Sequence, residues 1–287
     1  MSEFTIVTNT LRRPLELVEK SIRASLSQGP SIDVVLVDQN ADPLVFPTDL
    51  AQNPRFLHQK TPVPSVSMAR NRARLPGDCQ WIIFCDDDGY LEAGYLDRLK
   101  ARIAGSPEVP IFAGGIRRTD TGEFYSKRHA LGGDMRFFWN TKLLMGSNFC
   151  VNRRVFERLG KFDEEFGAGA PFGSSEETDF AWKAFFGREP MVFAPELVVF
   201  HVPPFAGEDR FERAKAYRYG YGKGRLVRKW LRKGHPVVLV EFFEMLVVPL
   251  LKMLPAVLRA GTRDLAIQGA ALLGRIRGFL ALEKEAS

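Results

Sequence analysis

The chain has 287 residues, of which 45% are hydrophobic and 26% charged, as in folded globular proteins and unlike disordered or collagen-like chains. Its length allows one large α/β domain with an appendage, or two modest domains. The net charge is +6, but residues 206–287 alone contain 16 Lys and Arg against 8 Asp and Glu. The basic character therefore belongs to the C-terminal part.

The three cysteines, Cys79, Cys85 and Cys150, lie in apolar segments and form no CxxC pair. This pattern argues against a disulfide framework or a zinc site and indicates buried thiols in a reducing compartment. The opening residues MSEFTIV lack the basic-then-apolar pattern of a secretory signal, so we expect the protein on the cytosolic side.

Strands and helices are predicted to alternate from the N-terminus. Apolar residues recur at helical spacing between two β-rich runs, and the same alternation continues to the middle of the chain. The predicted strands are 4–7, 33–37, 55–58, 81–84, 191–194 and 197–200; the predicted helices are 15–26, 65–74, 91–103 and 176–186. Such alternation is typical of an α/β fold with a mostly parallel sheet.

Three polar clusters follow predicted strands, at residues 8–10, 38–40 and 86–88. Ligands of open α/β sheets bind beyond the carboxyl ends of the strands, so we expect one edge to hold the site. Three consecutive carboxylates at 86–88 repel one another unless a cation compensates. Asp86 and Asp88 would suit Mg²⁺ or Mn²⁺; the alternative is an acidic turn that caps the next helix.

An ordered series of segments resembles family 2 glycosyltransferases with the GT-A fold, a Rossmann-like α/β fold, of the bacterial polysaccharide- or glycan-synthesising type. The segments are WIIFCDDDGYLEAGYLDRL, FTIVTNTLRRPLELVEKSI, DVVLVDQNADP, SVSMARNRAR, GSNFCVNRRVFERLGKFDEEFG, SSEETDFAWKAF and ELVVFHVPP. They cover about the first two hundred residues. An ordered series is far more specific than any single motif.

The resemblance implies an inverting, metal-dependent transferase. It would move a sugar from a nucleoside-diphosphate sugar to a hydroxyl of a glycan or lipid-linked acceptor. The resemblance also assigns the donor-binding residues, with Asp38 facing the base and Arg70 near the diphosphate or base: Thr8, Asn9, Asp38, Arg70, Asp86 and Asp87. The ligands of Mn²⁺ or Mg²⁺ would be Asp86, Asp88 and His201, the last matching a histidine that often completes the metal site.

The family places its catalytic base in the segment SSEETDF, where Glu177 stands in place of the usual aspartate. We expect Glu177 to take the acceptor proton, with Glu176 and Asp179 positioning hydroxyl groups. Ser174 followed by Glu177 is also a capping-box pattern, in which case Glu176 would be the base. Nearby, Phe137, Phe138 and Trp139 suit either an acceptor-facing loop or the core.

We predict two domains, a catalytic domain at 1–205 and a basic, amphipathic helical extension at 206–287. Charges at Glu241, Glu244 and Lys252 interrupt the apolar run after His235, so interfacial helices are expected rather than a spanning helix. The extension would hold the protein on an anionic membrane at its cytoplasmic face; the alternative is a helical lid.

Two other functions fit parts of the sequence. A sugar-phosphate nucleotidyltransferase would share a similar sheet, but the segment TNTLRRP lacks the glycine-rich phosphate loop expected after its first strand. A non-catalytic membrane or nucleic-acid adaptor would use only the basic tail. No nucleic-acid partner is expected for the preferred transferase.

Overall fold

The computed structural model of the protein describes residues 2–203, 209–258 and 262–281. The sheet in these ranges consists of β1 (Phe4–Thr10), β2 (Ile32–Asp38), β3 (Phe56–Lys60), β4 (Trp81–Cys85), β5 (Gly89–Leu91), β6 (Ile111–Arg118), β7 (Asn148–Asn152) and β8 (Met191–His201). The helices are α1 (Leu15–Leu26), α2 (Thr48–Ala51), α3 (Val66–Asn71), α4 (Tyr95–Gly105), α5 (Lys127–Leu131), α6 (Arg153–Arg158), α7 (Glu176–Phe186), α8 (Asp209–Arg232), α9 (Leu239–Leu258) and α10 (Thr262–Leu280), with 3-10 turns at Phe138–Leu143 and Pro236–Val238.

The eight strands described lie in the order β3-β2-β1-β4-β7-β6-β8-β5. The pairs β3–β2, β2–β1, β1–β4 and β6–β8 are parallel, whereas β7 is antiparallel to both neighbours and β5 is antiparallel to β8. Strand β4 is buried along its whole length, as expected for a sheet covered on both faces. The predicted α/β fold with a mixed sheet is confirmed.

Strands β5, β6 and β7 were not predicted. In β6 two glycines obscure the apolar pattern, and packing requires at least one of them, because a Cβ on Gly114 would lie 2.3 Å from Nδ2 of Asn148. The predicted helix at 91–103 is wrong at its start, since Leu91 lies in β5 and α4 begins at Tyr95. The two strands predicted at 191–200 are one strand, β8, which passes a bulge opposite Gly114 and Gly115.

Contacts divide the chain into two compact units. The first comprises 1–163 and 177–204 and contains the sheet; the second comprises 164–176 and 205–287 and contains α8, α9 and α10. The grouping of residues 164–176 with the C-terminal helices was not predicted from the sequence. No described helix combines the length and hydropathy needed to cross a membrane.

Glycines allow α8 and α10 to touch backbone to backbone. A Cβ on Gly224 would lie 2.1 Å from the carbonyl oxygen of Arg275, and one on Gly278 would lie 2.0 Å from that of Tyr221. Real Cβ atoms do not approach carbonyl oxygens so closely, so any side chain at these positions would push the helices apart. The close crossing explains why a helix can be rich in glycine despite the conformational cost.

We expect Gly224→Ala to lower the free energy of unfolding of the second unit by about 1–3 kcal/mol, because the added methyl group must separate α8 from α10. Gly269→Ala is the matched control, since nothing lies within 4 Å of the Cβ it would add. That control should be neutral or stabilising by up to about 1 kcal/mol. Urea unfolding followed by circular dichroism measures both; equal effects would contradict the close crossing.

Candidate metal centre

The three predicted polar clusters lie at one edge of the sheet. Thr10 at the end of β1 is in register with Asp38 at the end of β2, and Val7 of β1 is in register with Phe84 of β4. Residues 8–10, 38–40 and 86–88 therefore lie at, or directly after, the carboxyl ends of three adjacent parallel strands. This is the edge at which α/β sheets bind ligands.

Asp86, Asp88 and His201 form a group whose ligand atoms all lie within 4.8 Å of one another. Nε2 of His201 is 3.0 Å from Oδ1 of Asp88 and 3.5 Å from Oδ2 of Asp86. The unpredicted strand β5 creates this proximity, because it turns back after the aspartates and pairs Gly89 with His201. The sheet thus joins two residues that the sequence separates widely.

The residues of this group fit a divalent cation. Nδ1 of His201 lies 2.7 Å from the carbonyl oxygen of Val202, which can only accept, so the lone pair of a neutral ring sits on Nε2 and faces the carboxylates. Oδ1 of Asp88 is buried without a hydrogen-bond partner among the described residues. Burial lowers the pKa of His201, but Asp86 and Asp88 outweigh it and raise the pKa to about 10. The two carboxylates therefore favour a positive charge at this place.

Asp86 is held by a buried arginine. Nη2 of Arg70 donates to Oδ1 of Asp86 at 2.9 Å and to the carbonyl oxygen of Gly146 at 3.1 Å. Burial raises the pKa of Asp86, but His201, Arg70 and a hydrogen bond from Ser147 lower it to about 2. Asp86 is therefore ionised at neutral pH. The Arg70 side chain is only 2% exposed, and its contact with a diphosphate or base stays a prediction.

Arg13 belongs to this edge and was missed by the sequence analysis. Its Nε lies 3.1 Å from Oδ1 of Asp87 and its Nη2 lies 3.0 Å from Oδ2 of Asp88, while Thr10 donates to Asp87 at 2.7 Å. Burial raises the pKa of Asp87 to about 6, although Arg13 and Thr10 act against it. The basic pair in TNTLRRP was the available signal, because it directly follows the first polar cluster.

Asp38 is fully buried, and its carboxylate organises the loop after β2. It accepts hydrogen bonds from the backbone N–H groups of Asn40 at 3.0 Å and Leu44 at 2.8 Å, and it lies 2.8 Å from Nε2 of His58. Burial raises the pKa of Asp38, but these hydrogen bonds lower it below its usual value. A base that used the same oxygens would have to replace one of these partners.

Thr8 and Asn9 occupy the end of β1. Thr8 is 1% exposed, whereas Asn9 is partly exposed and donates from Nδ2 to Oε1 of Gln39 at 3.3 Å. The nucleotide-binding roles of Thr8, Asn9, Asp38 and Asp87 stay predictions.

The residues predicted for proton transfer lie on another element, at the start of α7. This helix begins at Glu176, after Ser175 with φ of +75°. Glu176 and Glu177 are partly exposed. Asp179 is completely buried, with Oδ2 3.6 Å from Nζ of Lys183. The choice of Glu177 as the base stays a prediction.

The aromatic segment divides between core and surface. Phe138 is buried and packs on Trp182 at 5.1 Å between ring centroids. Phe137 and Trp139 are 49% and 55% exposed and stack on each other at 5.1 Å. One of the three residues therefore serves the core, and two present aromatic faces to solvent.

Comparisons with known proteins show the fold. No protein-family model matches the chain, and no curated protein matches it. Among solved structures, it is similar to the mannosyltransferase PcManGT from Pyrobaculum calidifontis in complex with GDP-Man and Mn²⁺, with a TM-score of 0.65, 16% identity, and coverage of 97% of this chain and 87% of that one. It is also similar to S. aureus TarS, with a TM-score of 0.55, 13% identity, and coverage of 80% of this chain and 43% of that one. The chain thus has a glycosyltransferase-type fold.

Proposed function

We propose that the protein is a glycosyltransferase that moves a sugar from a nucleoside-diphosphate sugar to a hydroxyl of a glycan or lipid-linked acceptor. The observation that carries this proposal is the group Asp86, Asp88 and His201 at the ligand-binding edge of a sheet whose fold is similar to that of a mannosyltransferase in complex with GDP-Man and Mn²⁺. Membership of family 2 and the inverting mechanism are part of the proposal.

Asp86, Asp88 and His201 would hold Mn²⁺ or Mg²⁺, which when bound would offset charge on the leaving diphosphate. Arg70 and Ser147 keep Asp86 oriented and ionised for this role. Arg13 neutralises Asp87 and Asp88 from the open side, with its side chain 35% exposed.

The rest of the reaction would be performed by the chain's own side chains. Glu177 would accept the proton of the acceptor hydroxyl as that oxygen attacks the anomeric carbon, and Glu176 and Asp179 would orient hydroxyl groups. A direct displacement of this kind inverts the anomeric configuration and needs no covalent enzyme intermediate.

The proposal is tested by incubating the full chain with GDP-mannose and other nucleoside-diphosphate sugars, with Mn²⁺ or with EDTA. We expect Mn²⁺-dependent hydrolysis of at least one donor to the nucleoside diphosphate, and a higher melting temperature only when that donor and Mn²⁺ are both present. Release of pyrophosphate from a nucleoside triphosphate and a sugar phosphate would instead support a nucleotidyltransferase. If the chain bound no nucleotide, the result would instead support the non-catalytic adaptor.

We further propose that α9 lies on an anionic membrane at the cytoplasmic face. Of its two acidic residues, Glu241 is 1% exposed and pairs with Lys223 of α8, while Glu244 is partly exposed and acts electrostatically on Arg275 of α10. Seven apolar residues of α9 are 45% to 61% exposed to solvent: Leu239, Val240, Phe243, Val247, Leu250, Leu251 and Leu254. Basic residues predominate in the same part of the chain, and anionic lipid would complement them.

We expect the double variant Phe243→Ser/Leu250→Ser to bind vesicles containing anionic phosphatidylglycerol at least tenfold more weakly, because each apolar side chain contributes about 1.5–3 kcal/mol when fully buried. The matched control is Val45→Ser/Leu131→Ser, two residues 82% and 86% exposed in the first unit. Sedimentation at low salt measures the effect. Wild-type protein that stayed in the supernatant would refute the membrane proposal.

A further inference from the structure

A groove of about 600 Å³ lies entirely within the second unit, between residues 168–173 and the first half of α8. Its walls include the aromatic rings of Phe172, Phe211, Tyr217 and Tyr221, and its cationic groups are Lys215 and Arg218. Asp86, Asp88 and His201 do not line this groove.

The groove is built on a tight contact between a loop and a helix. A Cβ on Gly222 would lie 2.2 Å from the carbonyl oxygen of Phe172, so only glycine lets the loop rest directly on α8. Ser174 Oγ donates to the carbonyl oxygen of Tyr219 at 3.1 Å, and the guanidinium of Arg225 lies 4.6 Å from the centre of the Phe172 ring. These contacts therefore hold the loop of residues 168–173 against α8 without a ligand.

The lining combines positive charge with aromatic surface. Lys215 and Arg218 are three residues apart on one face of α8, both are exposed, and neither pairs with a carboxylate among the described side chains. No acidic residue lines the groove. Tyr217 and Tyr221 stack with ring centroids 6.3 Å apart. This chemistry suits a ligand that joins a phosphate to an apolar chain.

We propose that the groove binds the phosphate and first chain segment of a lipid-phosphate-linked acceptor, whose sugar carries the hydroxyl that reacts, an inference that rests on the proposed glycosyltransferase function. The phosphate would lie between Lys215 and Arg218, and the chain would contact Phe211 and the tyrosines. The groove loop ends at Gly173, three residues before Glu176, so their Cα atoms lie within about 10 Å of each other. Glu176, which is predicted to position hydroxyl groups, belongs to the same unit as the groove.

The test measures direct binding of farnesyl phosphate, a short soluble isoprenyl phosphate, to the full chain by calorimetry without donor. We expect Lys215→Gln/Arg218→Gln to weaken binding at least tenfold. Arg213→Gln/Arg277→Gln, which removes two exposed charges of the same unit outside the groove, should leave binding unchanged. Farnesol and inorganic phosphate should each compete at least tenfold less well, and Phe211→Ser, at a residue 70% exposed, should weaken farnesyl phosphate but not inorganic phosphate.

Equal binding by the groove variant and its control would overturn the assignment. Inorganic phosphate that competed as well as farnesyl phosphate would show a simple anion site, and farnesol that competed as well would show an apolar cleft without phosphate recognition; both outcomes reject a lipid-phosphate site. Metal-dependent donor hydrolysis by the wild-type chain tests the proposed function independently, because it requires no acceptor. The two failures are therefore distinguishable.

Discussion

Asp88→Ala is expected to reduce Mn²⁺ affinity at least a hundredfold and to abolish metal-dependent donor binding while the protein stays folded. The substitution removes a carboxylate whose Oδ1 lies 3.0 Å from Nε2 of His201 and lacks a hydrogen-bond partner among the described residues. Removal of a side chain that only supports a metal ligand lowers metal affinity about 10- to 100-fold. Removal of a ligand itself should lower the affinity further. The substitution removes contacts with Arg13 and His201 but relieves repulsion among three adjacent carboxylates, so we expect these effects on stability to offset each other.

Calorimetric titration of Mn²⁺, followed by titration of the donor in its presence, measures the effect. Asp120→Ala is the matched control, because Asp120 is an exposed carboxylate whose partner is Arg118 at the surface. Wild-type affinity for both Mn²⁺ and donor in the Asp88 variant would show that this residue is not a ligand. A lowered melting temperature of the variant would show that Asp88 stabilises the fold instead.

Glu177→Gln is expected to lower turnover by about two to four powers of ten with donor affinity little changed. The amide keeps the shape of the side chain but cannot accept the acceptor's proton. Glu177 is the second residue of α7 and is partly exposed, although its Oε2 atom is buried. The start of a helix also favours carboxylates in their ionised form.

Single-turnover rates and donor dissociation constants, measured for Glu177→Gln and Glu176→Gln in parallel, decide the assignment. The two residues are neighbours with the same side chain, so each serves as the control for the other. If Glu176→Gln were inactive and Glu177→Gln retained near-wild-type turnover, the base would be Glu176 and Glu177 would serve the start of the helix. A drop in donor affinity equal to the drop in turnover would indicate a binding role.

Two arginines at this edge differ in how easily they can leave their carboxylate partners. Arg13 pairs with Asp87 and Asp88 from a side chain 35% exposed, so it can exchange its carboxylate contacts for water or for a donor phosphate at low cost. Arg70, whose side chain is 2% exposed, cannot leave Asp86 so easily, because an unpaired buried charge is expensive. Arg13 is therefore suited to exchange partners, whereas Arg70 is suited to keep Asp86 in place.

Much of the first unit could be predicted from the sequence, because strands and helices follow local apolar periodicity. The helical spacing of Val18 and Ile22 and the β-rich runs around them were enough to predict the first parallel strands. The polar clusters after β1, β2 and β4 were also predictable, since parallel strands bring their carboxyl ends to one edge. These patterns depend only on neighbouring residues.

Tertiary structure alone decided which distant groups meet. His201 reaches Asp88 because the short strand β5 turns back on β8, and Arg13 reaches Asp87 because β1 lies beside β4. Glu241 interrupts the apolar run in the sequence but turns inward and pairs with Lys223 of α8, whereas apolar residues of α9 such as Leu251 are exposed. Strand register and helix rotation arise from packing between remote segments, and no local pattern of residue types contains that information.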